Sequence, residues 1–568
     1  MPLPNLPVEV RRMILETLVK DGRELAPFAA VSREWQAVIE PQTFKRIRVT
    51  ASRITELDDM TRRNRSRVRY LWLCVELARY GCDTCSPDGE NDDVPMFNSD
   101  ADDLLIKTAI QSLLSVLSAW DCSSPLTLDI SVYSTSDREH WFKYLTFEPD
   151  DDEDDASSNQ GYSSIPRFNQ AAPCEVDDAR HRWNTTDKSV CTAQAAVQNV
   201  FTRILDDQPD ESDDEQTDGL EWWRELALVP AITRLLLRQQ TRRRWEPEAL
   251  AELLTRFPRL CELHFEPWRE WDDMLQSYRD DGETAFSPKR TAQTAYIIFS
   301  VVHSFTNTLF FFPQGYLTLL ESPSIRRLSR FTIFENFNQR YVDAYWDGDC
   351  SRIRPPNPEL SRTLYEVGGN HDSLSASFMV DAESFFALDE GQPPKRWPNL
   401  RRLFLTSQLL APDQDDTRIT KMLRAAARAA AYMPKLETLQ IWNGRQKLAA
   451  LFKYEAATEQ GHASTITWRG TWEFLLQAPV IQAWQSLASE PSSNGLRVIY
   501  ESIDGDEVRC HGDAMLLLEL PDLVIRRVSL RQILNEERYM PLKPTNRSHY
   551  ITDPFRIPIP PDSIGPPL

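Results

Sequence analysis

The chain has 568 residues, 41% of them hydrophobic and 10% aromatic, which is enough apolar material for about four domains or for one small module and a large repetitive body. Its formal charge of −21 disfavours nucleic acids and anionic membranes as partners. Nine Cys without dense spacing disfavour a disulfide framework, and the sequence has neither a signal-peptide pattern nor a long apolar run, so we expect a soluble intracellular protein, cytoplasmic or nuclear.

The first 45 residues predict three short helices. Pro7 suits the first turn of a helix, because its missing N–H would have no partner there. Apolar residues then recur at helical spacing, and we expect Pro41 to end the third helix. A unit of this size rarely buries enough apolar surface to be self-sufficient. It therefore has apolar surface to share with another partner or with the rest of the chain.

The motif residues of this unit resemble an F-box: Leu6-Pro7, Glu9, Ile14-Leu15, Leu18 and Val31-Ser32-Arg33-x-Trp35. Ser32 stands where many members have Cys. The resemblance implies that residues 1–45 bind the small Skp adaptor and, through it, a cullin scaffold. The side chains that it implies contact the adaptor or support that surface are Leu6, Pro7, Val10, Ile14, Leu15, Leu18, Val31 and Trp35. The alternative is that these apolar residues pack on the protein's own body.

A second pattern, apolar-x-x-Leu-x-apolar, recurs beyond this unit. Five segments have it: VRYLWL (68–73), ITRLLL (232–237), LCELHF (260–265), LRRLFL (400–405) and LETLQI (436–441). A sixth segment, LSRFTI (328–333), has Phe in the Leu place. Because Leu-x-apolar alternation puts two side chains on one face of a strand, each segment predicts a strand. A Pro two residues before four of them would stop a preceding helix.

The spacing of these segments indicates stacked repeats. The segments at 232 and 260 are 28 residues apart, and those at 400 and 436 are 36 apart. PEALAELLTRF (247–257) and TRITKMLRAAARAAAYM (417–433) predict helices between strands. Wider gaps, such as 328–400, predict degenerate repeats or insertions. The pattern resembles an irregular leucine-rich-repeat α/β solenoid, and a mixed α/β domain is the alternative.

The predicted organisation has five parts. After the F-box come first repeats (46–147), an acidic insertion (148–219), a substrate-recruiting body (220–540) and a Pro-rich tail (541–568). The acidic stretches 148–158 and 206–219 have almost no apolar residues, so we expect flexible solvated loops there. An acidic docking tract for a basic partner is the alternative interpretation. We expect the tail to be extended or disordered.

Few sequence motifs point to metal binding, cofactor binding or catalysis. Cys82 and Cys85 have the spacing of half a zinc site, but Cys74, Cys122 and His140 are isolated, so we predict no metal and no cofactor. Phosphate-binding Gly-rich loops and recognisable catalytic motifs are missing from the sequence. We therefore predict no catalytic residues.

Trp and Arg residues cluster in 219–226, 242–250 and 266–274. These residue types are favoured at binding hot spots but also fill cores. If a surface there binds substrate, Trp245, Trp268 and Trp271 are the candidates; the favoured interpretation is that the Trp side chains fill the core.

These observations predict a non-catalytic adaptor that recruits an unknown protein substrate to a ubiquitin ligase. The whole chain also resembles uncharacterised F-box proteins of filamentous fungi. Two alternatives remain: a scaffold that uses its F-box outside a ligase, and an enzyme with a site in residues 190–540 assembled from distant positions.

Overall fold

The computed structural model describes residues 7–20, 25–81, 100–120, 125–139, 142, 144–151, 200–205, 221–270, 276, 279, 315–338, 354–387, 393–457, 463–487 and 495–539. The strands are β1 (Arg46–Thr50), β2 (Tyr70–Glu76), β3 (Leu126–Tyr133), β4 (Arg203–Ile204), β5 (Ile232–Leu237), β6 (Arg244–Trp245), β7 (Glu262–Phe265), β8 (Arg330–Phe334), β9 (Ser373–Asp381), β10 (Arg402–Thr406), β11 (Thr438–Arg445), β12 (Leu448–Glu455), β13 (Ser464–Gly470) and β14 (Leu496–Ser502).

The α-helices lie between these strands and at both ends of the described chain. They are α1 (Val8–Lys20), α2 (Arg33–Thr43), α3 (Ile54–Thr61), α4 (Asp100–Ser118), α5 (Glu221–Glu225), α6 (Pro247–Thr255), α7 (Gly315–Glu321), α8 (Pro323–Arg327), α9 (Pro358–Val367), α10 (Ala382–Phe385), α11 (Asp416–Ala430), α12 (Ala478–Leu487), α13 (His511–Leu517) and α14 (Arg527–Tyr539). Short 3₁₀ helices span Ala26–Ala30, Ala51–Arg53, Arg65–Arg67, Thr135–Arg138, Gly368–Asn370 and Gly505–Glu507.

Among the described residues, twelve strands form one open sheet, and β4 and β6 form a separate small one. The strands of the large sheet lie side by side in chain order. Neighbours are parallel from β1 to β11, β12 is antiparallel to both of its neighbours, and β13 and β14 are parallel again. The α/β prediction is confirmed at this level.

Each of the six repeated segments contributes a strand to the large sheet, so the strand predictions are confirmed. Their Leu-x-apolar pairs all enter one core. Strand pairing aligns the first members of these six pairs with one residue each from β1, β3 and β9. The resulting ladder is Ile47, Leu71, Leu128, Leu235, Leu263, Phe331, Leu374, Leu403 and Leu439. A slip of one residue would turn a strand's apolar side chains to the other face, so this pattern holds the register.

The ladder defines the first face of the sheet, which the helices cover. The two predicted helices form as α6 and α11, and Leu250, Leu254, Ile419 and Leu423 are fully buried in that core. The wide gap between 328 and 400 contains β9, whose Leu374 and Ala376 join the same core. This gap therefore holds a strand that departs from the repeated pattern.

The opposite, second face carries the alternate residues, and several are polar and buried: Asp129, His264, Thr332, Ser375 and Gln440. A parallel sheet needs cover on both faces. Here the cover is the C-terminal segment, residues 503–539, and Thr332 Oγ1 donates to the Leu523 carbonyl at 3.0 Å. α13 lies directly on β11, because a Cβ built at Gly444 would lie 2.7 Å from Ala514 Cβ.

Ion pairs attach the far end of the C-terminal segment to the start of the acidic insertion. Arg526 Nη2 lies 2.7 Å from Asp150 Oδ2, and Arg531 Nη2 lies 2.9 Å from Asp151 Oδ1. Burial would raise the pKa of Asp150, but Arg526 and Arg238 outweigh it and lower that pKa. Asp150 is 5% exposed. The expectation of a solvated loop is therefore wrong at Asp150, where the acidic residues dock on basic residues of the same chain.

Other predictions have mixed outcomes. Pro41 does not end the third helix: α2 continues to Thr43, and Pro41 lies in its last turn. Residues 152–199 and 206–219 of the acidic insertion, and the tail 541–568, lie outside the described residues. None of the described helices is both long and apolar enough to cross a membrane.

Candidate functional site

The N-terminal helical unit comprises α1, the 3₁₀ helix Ala26–Ala30 and α2. Leu15 of α1 and Ile39 of α2 are fully buried. Arg11 Nε lies 2.9 Å from Glu34 Oε1, which ties α1 to the first turn of α2. Two buried side chains are a small core, as the short sequence of the unit predicts.

The closing Val-Ser-Arg-x-Trp motif has a clear local role in this unit. Ser32 is the N-cap of α2, and its side chain accepts a hydrogen bond from the Trp35 amide at 3.3 Å. The Trp35 ring lies against Phe28, with centroids 6.0 Å apart. Val31 points outward and is 61% exposed. The motif therefore starts α2 while leaving an apolar side chain at the surface.

Exposed apolar side chains concentrate on this unit. Of the twelve large hydrophobic residues exposed in the described part of the chain, six belong to it: Val8, Val10, Met13, Ile14, Phe28 and Val31. Scattered exposed apolar residues are ordinary, but six of them on one short unit make that unit a candidate interaction region. We call these six residues the N-terminal apolar surface.

The structure describes seven of the eight residues named by the F-box resemblance, and they lie in three environments. Pro7, Val10, Ile14 and Val31 are exposed, Leu18 and Trp35 are half-buried, and Leu15 is buried. Leu6 lies outside the described residues. Four of these side chains therefore reach solvent, and Leu15 can act only by supporting them.

Glu40 joins the helical unit to the start of the sheet. Its carboxylate lies 3.4 Å from Arg67 Nη1 and accepts from Asn64 Nδ2 at 3.3 Å. The hydrogen bond from Gln36, with those from Asn64 and the nearby Arg charges, lowers the pKa of Glu40. α2 also leads into β1 through Phe44 and Lys45. The N-terminal apolar surface is thus carried on a unit with a polar attachment to the body.

The weaker substrate-binding candidates are not at the surface. Trp245 and Trp268 are 3% and 2% exposed, and Trp271 lies outside the described residues. Trp268 Nε1 donates to the Gln239 carbonyl at 2.8 Å, and the Arg242 guanidinium stacks 3.9 Å from a Trp268 ring centroid. This placement agrees with the interpretation that these two Trp side chains fill the core.

The Arg run beside Trp245 is also buried. Arg242, Arg243 and Arg244 face Glu536, Asp137 and Glu270 respectively. Arg238, four residues before Arg242, lies 2.7 Å from Asp129, and both side chains are fully buried. A basic run in the sequence here forms internal ion pairs, and only the fold brings their acidic partners from distant positions.

The described residues contain no group of three or more His, Cys, Asp or Glu placed to hold a metal ion. Cys82, Cys85, Cys122 and His140 lie outside them. Cys74 is buried on the second face of β2, where burial raises the pKa of its thiol to about 11.

A cleft of about 120 Å³ lies where β8, β9, β10 and β11 end. We call it the strand-end cleft. Ligands of open α/β sheets bind outside the carboxyl ends of the strands, so its position is one that the fold favours for binding. No sequence motif marks it, because its walls come from six separate segments between 269 and 445.

The fold and these surfaces define a mixed α/β protein with an open sheet, a small N-terminal helical unit and a cleft at the strand ends. The model of a family of unknown function (DUF6546) matches residues 322–526. That stretch contains β8 to β14 and α13, together with most of the strand-end cleft. No curated protein matches the chain.

Proposed function

We propose that this chain is a substrate-recruiting F-box subunit of a Skp-cullin-F-box ubiquitin ligase. The observation that carries the proposal is the N-terminal apolar surface, formed by the same short unit whose sequence resembles an F-box. An adaptor packed on Val10, Ile14 and Val31 would remove these side chains from water, which is the main driving force of such association.

The body would serve as the recruiting part, as an irregular leucine-rich-repeat-like solenoid. Strands in chain order and a ladder of Ile, Leu or Phe residues from β1 to β11 support this part of the proposal. Each added strand and helix extends the surface without a closed core, so the body offers area for a protein partner.

The chain itself would act by proximity and catalyse nothing. Holding a substrate near a conjugating enzyme replaces a bimolecular encounter by an intramolecular one, with an effective concentration on the order of mM for a suitable linkage. No catalytic residue of its own is needed for that role.

The enzyme alternative depends on the strand-end cleft, because polar groups converge there. Its inner carboxylates accept hydrogen bonds from the protein: Asp381 accepts from Ser407 Oγ at 3.0 Å and from the Gln408 amide at 2.8 Å. These contacts commit Asp381 to holding the loop after β10. We therefore keep recruitment as the function and treat the cleft as a binding site.

The test is affinity purification of the full chain with the Skp adaptor and cullin as readouts. Val31→Asn and Ile14→Asn place a polar group at 61% and 39% exposed positions, so both variants should fold. We expect each to lose adaptor binding by at least about tenfold, because truncating a hot spot costs about 2 kcal/mol or more and about 1.4 kcal/mol is tenfold.

The matched controls are Leu104→Asn and Met60→Asn, at positions that are 65% and 42% exposed on α4 and α3. These variants should bind the adaptor as the unmodified chain does. Equal adaptor recovery from all four variants would overturn the F-box proposal. Adaptor recovered without any cullin would instead support the scaffold that acts outside a ligase.

A further inference from the structure

Most residues that line the strand-end cleft are polar, but they include three apolar side chains, which we call its apolar base. These are Phe337, Phe378 and Val380, and the Phe337 and Phe378 rings meet edge to face with centroids 4.8 Å apart. An apolar cavity of 150 Å³ is known to hold benzene, so about 120 Å³ suits a group the size of one aliphatic side chain. The cleft is therefore sized for a compact apolar group.

Phe378 is held in this base by an unusual backbone. Its φ is +66°, in the left-handed region that a residue with a bulky side chain rarely adopts. The register between β9 and β10 also jumps here: Leu405 pairs with Ala376, and Thr406 pairs with Asp381. The intervening residues bulge toward the cleft, and Thr406 Oγ1 accepts from the Phe378 amide at 2.7 Å. Strain of this kind clusters at binding sites.

The acidic groups inside the cleft are already paired with groups of the protein, Asp381 by hydrogen bonds and Glu335 by an ion pair. Both Asp381 oxygens accept hydrogen bonds, Oδ1 from Ser407 and the Glu383 amide and Oδ2 from the Gln408 amide. Glu335 Oε2 lies 2.7 Å from Arg354 Nε, with both side chains buried. A cationic ligand would have to displace these contacts, so the inner carboxylates disfavour one.

Arg445 provides a cation at the mouth of the cleft. It is the last residue of β11 and lines the cleft after Asn443 and Gly444, and its side chain is 25% exposed. Its ion pair with Asp413 is long, at 3.6 Å, and the Asp413 side chain is 64% exposed, so this contact is weak. A guanidinium has five donors in a planar fork that matches a carboxylate.

We propose that the strand-end cleft binds a carboxylate carried on a compact apolar group, with the carboxylate on Arg445 and the apolar group over Phe337 and Phe378. Two sources share this chemistry: the C-terminal residue of a protein and a free small carboxylic acid. The proposal is independent of the proposed adaptor function, because it concerns a different surface of the chain.

The experiment is a calorimetric titration of the full chain with three probes. They are N-acetyl-leucine, its uncharged amide, and a Gly-Ser hexapeptide that ends in Leu with a free carboxylate. We expect the acid to bind at least about tenfold more tightly than the amide, since hydrogen bonds to charged groups contribute more than neutral ones. Arg445→Gln should remove that preference. Arg424→Gln, on the exposed side of α11, should keep it.

The peptide arm identifies the source. Tighter binding of the peptide than of N-acetyl-leucine would support a protein C-terminus, and equal or weaker binding would support a free acid. An acid that binds no better than the amide, or an acid preference that survives Arg445→Gln, would overturn the proposal. So would the absence of heat for all three probes at millimolar concentration.

Discussion

Replacing His511 by Phe should flatten the pH dependence of local stability on the second face of the sheet. His511 begins α13, and its Nε2 lies 2.9 Å from Asn336 Oδ1 while its ring stacks on Phe337 at 4.5 Å. Burial lowers the pKa of His511 from 6.5 to about 3. The native state therefore holds the imidazole neutral at pH values where an exposed imidazole gains a proton.

The magnitude follows from proton linkage. Above pH 6.5 neither state is protonated, so His511 contributes no pH dependence. Below 6.5 only the opened state binds the proton, and stability falls by about 1.4 kcal/mol per pH unit until the folded pKa is reached. At pH 5, about 1.5 units below the exposed pKa, the loss is roughly 2 kcal/mol, or about 30-fold in the opening equilibrium.

Hydrogen exchange measured by mass spectrometry on peptides covering α13 can test this value. After correction for intrinsic exchange rates, the protection of α13 in the wild-type chain should fall about 30-fold more between pH 7.5 and pH 5 than in His511→Phe. Peptides from α2 are the internal control and should respond equally in both chains. An identical loss of α13 protection in the two chains would refute the reasoning.

Three further predictions concern single contacts. Asp150→Asn leaves the buried Arg526 charge without its partner and should lower the unfolding free energy, measured by urea denaturation, by about 3–5 kcal/mol. Adding Arg526→Gln should recover part of this loss, and additive losses of the two variants would contradict the pairing. Thr406→Val leaves the Phe378 amide without its acceptor and should lower the unfolding free energy by about 1–3 kcal/mol, whereas Thr406→Ser, which keeps the hydroxyl, should lower it less. Equal melting temperatures for the wild-type chain and both variants would contradict this prediction. Ser32→Ala removes the N-cap and should lower the stability of α2 by about 1 kcal/mol, seen as faster amide exchange in its first turn; unchanged exchange there would show that the cap contributes nothing.

The strands were the most predictable part of the fold. Leu71, Leu263 and Leu439 lie at the same position of the repeated segment, and all three reach one core because side chains of a strand alternate between two faces. β9 was harder to predict. Its Ser-rich sequence around Leu374 has only two inward apolar residues before the bulge at Phe378, so it lacks the repeated pattern.

The helices were also predictable from a periodic apolar pattern, with the helical period in place of strand alternation. α6 and α11 have apolar residues at helical spacing, and they formed where predicted. Pro41 was misjudged, because a Pro in the last turn of a helix removes only one hydrogen bond and α2 tolerates it.

The two candidate sites differ in how far the sequence predicted them. The N-terminal apolar surface was predictable, since its residues lie close together in the sequence, between positions 8 and 31, and a unit of that size cannot bury them all. The strand-end cleft was not, because Arg445, Phe378 and Asp381 come together only after β9, β10 and β11 pair. The acidic residues at 150 and 151 were expected to be solvated because their stretch has almost no apolar residues. Their basic partners lie more than 370 positions away, so no local pattern reveals the pairing.

By itself the sequence determined the local features of this protein: the helical unit at its start, the strands of the repeated segments and the face that each strand buries. These depend on side chains two to four positions apart. The tertiary structure decided what covers the second face, which charges are paired and where a cleft opens. Those outcomes depend on residues hundreds of positions apart, such as Tyr144 and Glu536, whose contact no local pattern encodes.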